Sequence, residues 1–132
     1  HLRSTFYKPE LAGMIKPGQI EDKAKMFVDF EDRLTLFDTQ ILCRFFRDIY
    51  TWDLLGTLIS ASTGINGAQE TIQTIARAIS TKVRAFNLRE GMTEDHETMP
   101  EALHKKLEDS GAAITKEELG QMLKEYHEIR GW

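Results

Sequence analysis

With one cysteine in 132 residues, the chain can form no intrachain disulfide and no metal centre built from its own thiolates alone. If Cys43 is a ligand, its companions lie on another segment or another chain. No apolar run approaches the roughly 18 residues that span a bilayer. The opening His1-Leu2-Arg3-Ser4 has no signal-peptide apolar region. A soluble, cytoplasmic protein with no membrane partner is therefore expected. Lysine and arginine form no block that could track a phosphate backbone: 17 basic residues are spread among 21 acidic ones, for a net charge of −4. Nucleic acid is not an expected partner. Gly-rich dinucleotide loops and Lys-containing phosphate loops are both missing.

What is present is the composition of an ordinary folded domain, 41% hydrophobic and 29% charged, long enough for one core. Prolines Pro9 and Pro17, with Gly13 and Gly18, mark residues 1–19 as an irregular leader continuing from an upstream domain. Residues 20–132 then read as one helical domain. Ala24, Phe27, Val28, Leu34 and Phe37 predict a helix over about 20–36, with Glu21 and Asp22 in its first turn. From Phe37 to Tyr50 the apolar residues are too dense for one exposed face, which predicts burial on several sides. Thr51 or Asp53 caps a following helix that stops near Thr63-Gly64. Ile72, Ile75, Ala76, Ile79, Val83 and Phe86 form the stripe of a long helix over 67–89, ended by Gly91. A polar loop over 92–100 precedes a short helix around 101–107 and a break at Asp109-Ser110-Gly111. Thr115 and Glu118 then form a capping box, with Ile114 able to staple onto Leu119, and Gly131 ends the last helix. No alternating strand pattern competes, so the fold expected is all-α, an irregular helical bundle.

Few residues carry chemistry on their own physics. Cys43, among apolar neighbours, reads as a buried small hydrophobe. Ser60, Ser62, Thr63 and Gly64 could present hydroxyls and N–H groups to a ligand, but fit helix termination better. His96, His104 and His127 show no metal-ligand spacing and read as surface residues. Glu94, Asp95 and Glu97 read as a solvated acidic loop rather than a general acid–base pair. Arg77, Arg84 and Arg89 could fork onto phosphates, yet exposed helix arginines or interdomain salt bridges are the better reading.

Three ordered segments add a resemblance. They are Asp38-Thr39-Gln40-Ile41-Leu42-Cys43, Arg84-Ala85-Phe86-Asn87-Leu88-Arg89-Glu90-Gly91 and Tyr126-His127-Glu128-Ile129-Arg130-Gly131-Trp132. They resemble, in turn, the Asp-x-x-Gly-Leu-Cys, Arg-x-Phe-Asn-x-Arg-Glu-Gly and Tyr-Tyr-x-x-Arg-Gly-Trp elements in the C-terminal domain of the aldehyde:ferredoxin oxidoreductase family. Met99-Pro100 ends an acidic loop where that family has an acidic stretch and Leu-Pro. The likeness covers roughly residues 20 to 132. In one departure, Ile41 stands where the family's element has glycine, placing a side chain on backbone meant to approach a cofactor.

The resemblance implies a C-terminal-domain fragment of a larger enzyme. That enzyme would oxidise aldehydes to carboxylic acids at tungsten held by two pterins of the molybdopterin type. Electrons would leave through a [4Fe–4S] cluster to ferredoxin. Cys43 is implied as a cluster ligand, Asp38 and Leu42 as pterin-facing residues, and His1 as the catalytic histidine near tungsten. The upstream domains, ferredoxin and the aldehyde are the implied partners, and a homo-oligomer is compatible. The isolated chain is expected to be inactive and free of cofactor. Two alternatives stay open: a cofactor-free helical interaction module derived from such a domain, and part of a tungsten-dependent aromatic acyl-CoA reductase.

Overall fold

A computed structural model describes residues 20–47, 49–106 and 113–132. The expected leader, His1 and the break at Asp109-Ser110-Gly111 lie outside the described residues. Among the described residues four α-helices follow one another: α1 (Lys23–Thr39), α2 (Trp52–Thr63), α3 (Gln69–Arg89) and α4 (Lys116–Arg130). Among the described residues there is no strand, and the all-α reading holds. By contacts the chain divides into two units, Asp29–Arg89 on the one hand and His1–Val28 with Glu90–Trp132 on the other.

In the Asp29–Arg89 unit, helical spacing builds the core. Leu36 and Phe37 of α1, Leu55 and Ile59 of α2, and Ile72 and Ala76 of α3 are all buried in one cluster. The i, i+4 pairs 55/59 and 72/76 keep one face of each helix inward. Each large side chain so buried contributes about 1.5–3 kcal/mol. Tyr50 meets Phe37 edge to face, with centroids 4.8 Å apart. Asp29 links α1 to α2: its carboxylate accepts the Trp52 indole N–H at 2.8 Å and pairs with Arg33. The buried carboxylate of Asp32 has the Arg77 Nε of α3 at 3.8 Å, which makes Arg77 part of this unit's internal packing.

Helix α2 begins where the sequence indicates, with Thr51 Oγ accepting from the Leu54 N–H, and ends at Gly64 in the left-handed conformation. Thr63 and Ser62 donate their hydroxyls back to the Ile59 and Leu58 carbonyls, the helix-terminating role expected of them. Gly56 and Gly67 bring α2 and the loop before α3 together backbone to backbone. A Cβ built on either would lie 2.1 Å from the other's carbonyl oxygen. Asn66 Oδ1 accepts from the Ala68 N–H and opens the approach to α3.

The other unit is organised around α4. Thr115 and Glu118 form the reciprocal capping box, at 3.1 and 2.8 Å. Before it, the short helix expected around 101–107 is a 3₁₀ turn over Glu101–His104, residue 107 lying outside the described residues, and the loop over 92–100 holds a further 3₁₀ turn, Glu94–His96. Both follow from short segments with few apolar residues to anchor a longer helix. Tyr126 is the aromatic hub: Phe27 and Trp132 meet its ring edge to face at 5.7 and 5.4 Å. The Arg130 guanidinium lies over both Tyr126 and Trp132. The Tyr-x-x-x-Arg-Gly-Trp segment is thus a self-packed helix end.

Candidate functional site

The site begins with the way α1 stops. The Ile41 N–H donates to the Asp38 carbonyl at 3.0 Å and the Leu42 N–H to the Phe37 carbonyl at 3.1 Å. These are the two bonds of a Schellman motif, whose turning residue must be left-handed and is usually glycine. Here it is Ile41, at φ 55°. Helix α4 ends the same way, with Trp132 N–H donating to the His127 carbonyl, but there Gly131 takes the turn at φ 73°. A β-branched residue in this region is an outlier. The position where the resembling element carries glycine is thus a left-handed one here, and isoleucine occupies it.

The motif sorts the side chains that follow. Leu42 turns back against the core cluster beside Phe37, the hydrophobic contact that accompanies such helix ends. Ile41 is 94% exposed, and Cys43, Phe45, Phe46 and Ile49 are exposed with it. Two sequence expectations are corrected here. Cys43 is not a buried small hydrophobe, and the stretch from Phe37 to Tyr50 is not buried on several sides. The left-handed turn and the 3₁₀ turn Arg44–Phe46 leave Phe37, Leu42 and Tyr50 to the core and Ile41, Cys43, Phe45, Phe46 and Ile49 to the surface.

Cys43 itself is extended, at φ −71° and ψ 116°, and its carbonyl accepts from the Phe46 N–H. Its neighbour Arg44 reaches back to Asp38 with both nitrogens of a fork: Nε donates to Oδ1 at 2.9 Å and Nη2 to Oδ2. The guanidinium, through these bonds, holds the Asp38 carboxyl below its ordinary value, and Asp38 in turn raises Arg44. The pair closes the loop that carries Cys43 and cancels the charge adjacent to the thiol. The sequence singles out Asp38, but not its pairing with Arg44. A fork-shaped donor beside an acid one loop away was the available signal.

The donor set decides what the loop can hold. Among the described residues no group of three or more His, Cys, Asp or Glu side chains gathers as a metal site. One accessible thiol on extended backbone fits a single ligand of an iron–sulfur cluster, the others coming from elsewhere. Asp38 keeps acceptor capacity after receiving Arg44, because a carboxylate offers about four lone-pair sites. Leu42 can face a cofactor through its backbone, since its side chain belongs to the core.

The remaining histidines were expected at the surface; His96 is exposed, while His104 and His127 are half-buried. His127 is largely enclosed, its Nε2 lying 3.0 Å from the Glu97 carboxylate but outside hydrogen-bonding geometry. His104 is half-buried, its Nδ1 2.7 Å from the Ile114 carbonyl. Segments that are polar in sequence fold over these rings. An open cleft of about 380 Å³ is lined by Glu94, Glu97, Lys124, His127, Glu128 and Trp132. His96, by contrast, is exposed and accepts the Thr93 N–H at Nδ1.

The described residues thus form a helical domain whose cysteine is exposed at the end of a helix-stop motif. The chain belongs to the aldehyde ferredoxin oxidoreductase family, matching the model of domains 2 and 3 over residues 1–132. It is 28% identical to the tungsten-containing aldehyde ferredoxin oxidoreductases of Pyrococcus furiosus and Thermococcus kodakarensis, over 138 residues in each case. The enzyme of the same name in Pyrococcus abyssi is 28% identical over 140 residues. All of this chain is covered, but only 23% of each relative. No solved structure matches it significantly. Among the described residues, no helix is long and apolar enough to cross a membrane.

Proposed function

We propose that this chain is the C-terminal, cofactor-closing part of a tungsten-pterin, iron–sulfur enzyme that oxidises aldehydes to carboxylic acids and delivers electrons to ferredoxin. The observation that carries the reading is the exposed Cys43, at the end of an Asp-x-x-x-Leu-Cys helix terminus, in a chain of this family. The relatives' names supply tungsten and ferredoxin.

The overall change is RCHO + H₂O → RCOOH + 2 H⁺ + 2 e⁻, for which tungsten–pterin and the [4Fe–4S] cluster, when bound, supply oxygen-atom and electron-transfer chemistry. This chain's residues do the holding and enclosing. Cys43 supplies one thiolate to the cluster and fixes its position relative to α1. Asp38 accepts N–H groups of a pterin while its pair with Arg44 sets its orientation. Leu42 anchors the segment in the core, so that the backbone around it stays rigid where a pterin approaches. His1, from the segment preceding the described residues, would hydrogen-bond the substrate oxygen and move a proton. The upstream domains of the same enzyme would contribute the other cysteines.

Two observations favour a second reading. The Asp38 carboxylate is already paired and Ile41 protrudes beside Cys43, as in a helical module that retains the fold without the cofactors. The two readings differ in metal content. The full-length enzyme carrying this chain, made anaerobically, should hold an iron–sulfur cluster that is lost or altered in Cys43→Ala; unchanged iron and an unchanged cluster spectrum would remove the ligand assignment.

A further inference from the structure

We propose that His127 and Glu97 form a pH-sensitive latch, which holds the acidic loop over 92–100 against α4 when the imidazole is charged and releases it when the imidazole is neutral. The two residues come from different elements of one unit: Glu97 follows the 3₁₀ turn Glu94–His96, and His127 lies in the last turn of α4. Their side chains face each other, Nε2 of His127 lying 3.0 Å from Oε2 of Glu97, and both are largely enclosed, at 23% and 12% exposure. Nε2 is buried and makes no hydrogen bond. A buried ring nitrogen left unpaired costs free energy, and the group it faces is a carboxylate.

Protonation is what makes this approach favourable. Neutral imidazole carries one N–H. With that proton on Nδ1, a lone pair on Nε2 confronts the carboxylate; with it on Nε2, the contact is a neutral donor only. The charged ring has N–H on both nitrogens, and charge-assisted bonds are roughly twice as strong as neutral ones. The other charged groups around the ring are Glu94 on the loop and Lys124 and Glu128 on α4, while the rings of Tyr126 and Trp132 flank it at 5.8 and 6.3 Å. Carboxylates, lysine and tyrosine ordinarily keep their charge state across about pH 5 to 8, the range in which imidazole changes its own. His96, on the same loop, accepts the Thr93 N–H at Nδ1, so its protonation loosens the turn at low pH, the opposite direction.

The latch has a pH window. It is complete where the imidazole is charged and the carboxylate ionised, is lost as pH rises through the imidazole range, and is lost again below about pH 4, where carboxylates protonate. Release frees one wall of the cleft, Glu94 and Glu97 of the loop, from the other, Lys124 and Trp132. The Tyr-Tyr-x-x-Arg-Gly-Trp element that this segment resembles has tyrosine where His127 stands, and a phenol carries no positive charge in this range. The latch is therefore a property of this chain rather than of that element.

The test is hydrogen–deuterium exchange, read by mass spectrometry on peptides covering residues 92–100 of the full-length protein, at about pH 6 and about pH 8 and corrected for intrinsic exchange rates. Parent, His127→Gln and Glu97→Gln are compared. Glutamine at 127 keeps a neutral donor, and glutamine at 97 keeps an acceptor without charge, so each removes the charged pair from one side. At the lower pH the parent loop is expected to be about fivefold better protected than in either variant, and at the higher pH the three should agree. The comparison between proteins at one pH cancels the contribution of His96. No difference at the lower pH in either variant, or a difference of the same size at both pH values, overturns the latch.

Discussion

The amide of Leu42 donates to the carbonyl of Phe37 at 3.1 Å, and together with the bond from Ile41 to Asp38 it sets Ile41, between the two, in a glycine's conformation. Ile41 bears the cost, at φ 55°. A β-branched side chain in the left-handed region loses about 1–2 kcal/mol, partly offset by the freedom glycine gains when unfolded, about 0.5–1 kcal/mol. Ile41→Gly is therefore expected to stabilise the chain by about 0.5–1 kcal/mol, and Ile41→Val to leave it unchanged. Urea unfolding measures this. A clear destabilisation by glycine would show that the turn is not left-handed.

Gly56 and Gly67 support a sharper expectation. Because a methyl group on either would meet the other's carbonyl oxygen at 2.1 Å, backbone must move to admit it. Gly56→Ala and Gly67→Ala should each cost about 1–3 kcal/mol or more, the range of overpacked interiors. Gly120, inside α4 with open space around its Cα, is the control: Gly120→Ala should stabilise by about 0.5–1 kcal/mol. Equal effects at all three positions would contradict the close approach.

These two sites show what the sequence makes legible. Caps are local chemistry, so Thr51, Gly64, the Thr115–Glu118 box and Gly131 are readable at their positions. Helix α1 was displaced, expected over about 20–36 and found at Lys23–Thr39. Its acidic start was read as a first turn, whereas Asp22 is itself left-handed at φ 61° and stands before the helix. Its end carries isoleucine where a helix stop normally shows glycine, so the usual signal is missing. Close backbone contact between Gly56 and Gly67 depends on tertiary packing and leaves no mark in local spacing. The exposure of Cys43 was hidden for the opposite reason: local apolarity suggests burial, but burial depends on what covers the segment. The family elements remained legible because they are local strings, and they located the loop that composition alone would have called core.

Acid should loosen this helix end in a definite direction. The folded-state value of Asp38 is lowered, first by its hydrogen bonds from Arg44, below an ordinary value of 3.8. A depressed carboxyl contributes stability that is full above its unfolded value and is lost as pH falls through the folded one. Glu101 is lowered by Lys116, with which it pairs at 2.6 Å, and Glu117 by bonds at the start of α4. Stability should therefore fall below about pH 4, modestly, since these groups are solvent-exposed. Asp38→Asn should be less stable than the parent at neutral pH and converge with it near pH 2. A stability gap that persists at low pH would mean that Asp38 acts through something other than its charge.

Cys43 is the residue through which this chain would hold a cluster. The most direct measurement is iron per polypeptide, with the low-temperature electron paramagnetic resonance spectrum of the reduced protein, in the full-length enzyme and its Cys43→Ala variant prepared anaerobically side by side. Loss of iron, or conversion of the cluster to a different spectral form, is the predicted result. Full iron with an unchanged spectrum would contradict it, and would leave the exposed thiol of this helix end without the role assigned to it.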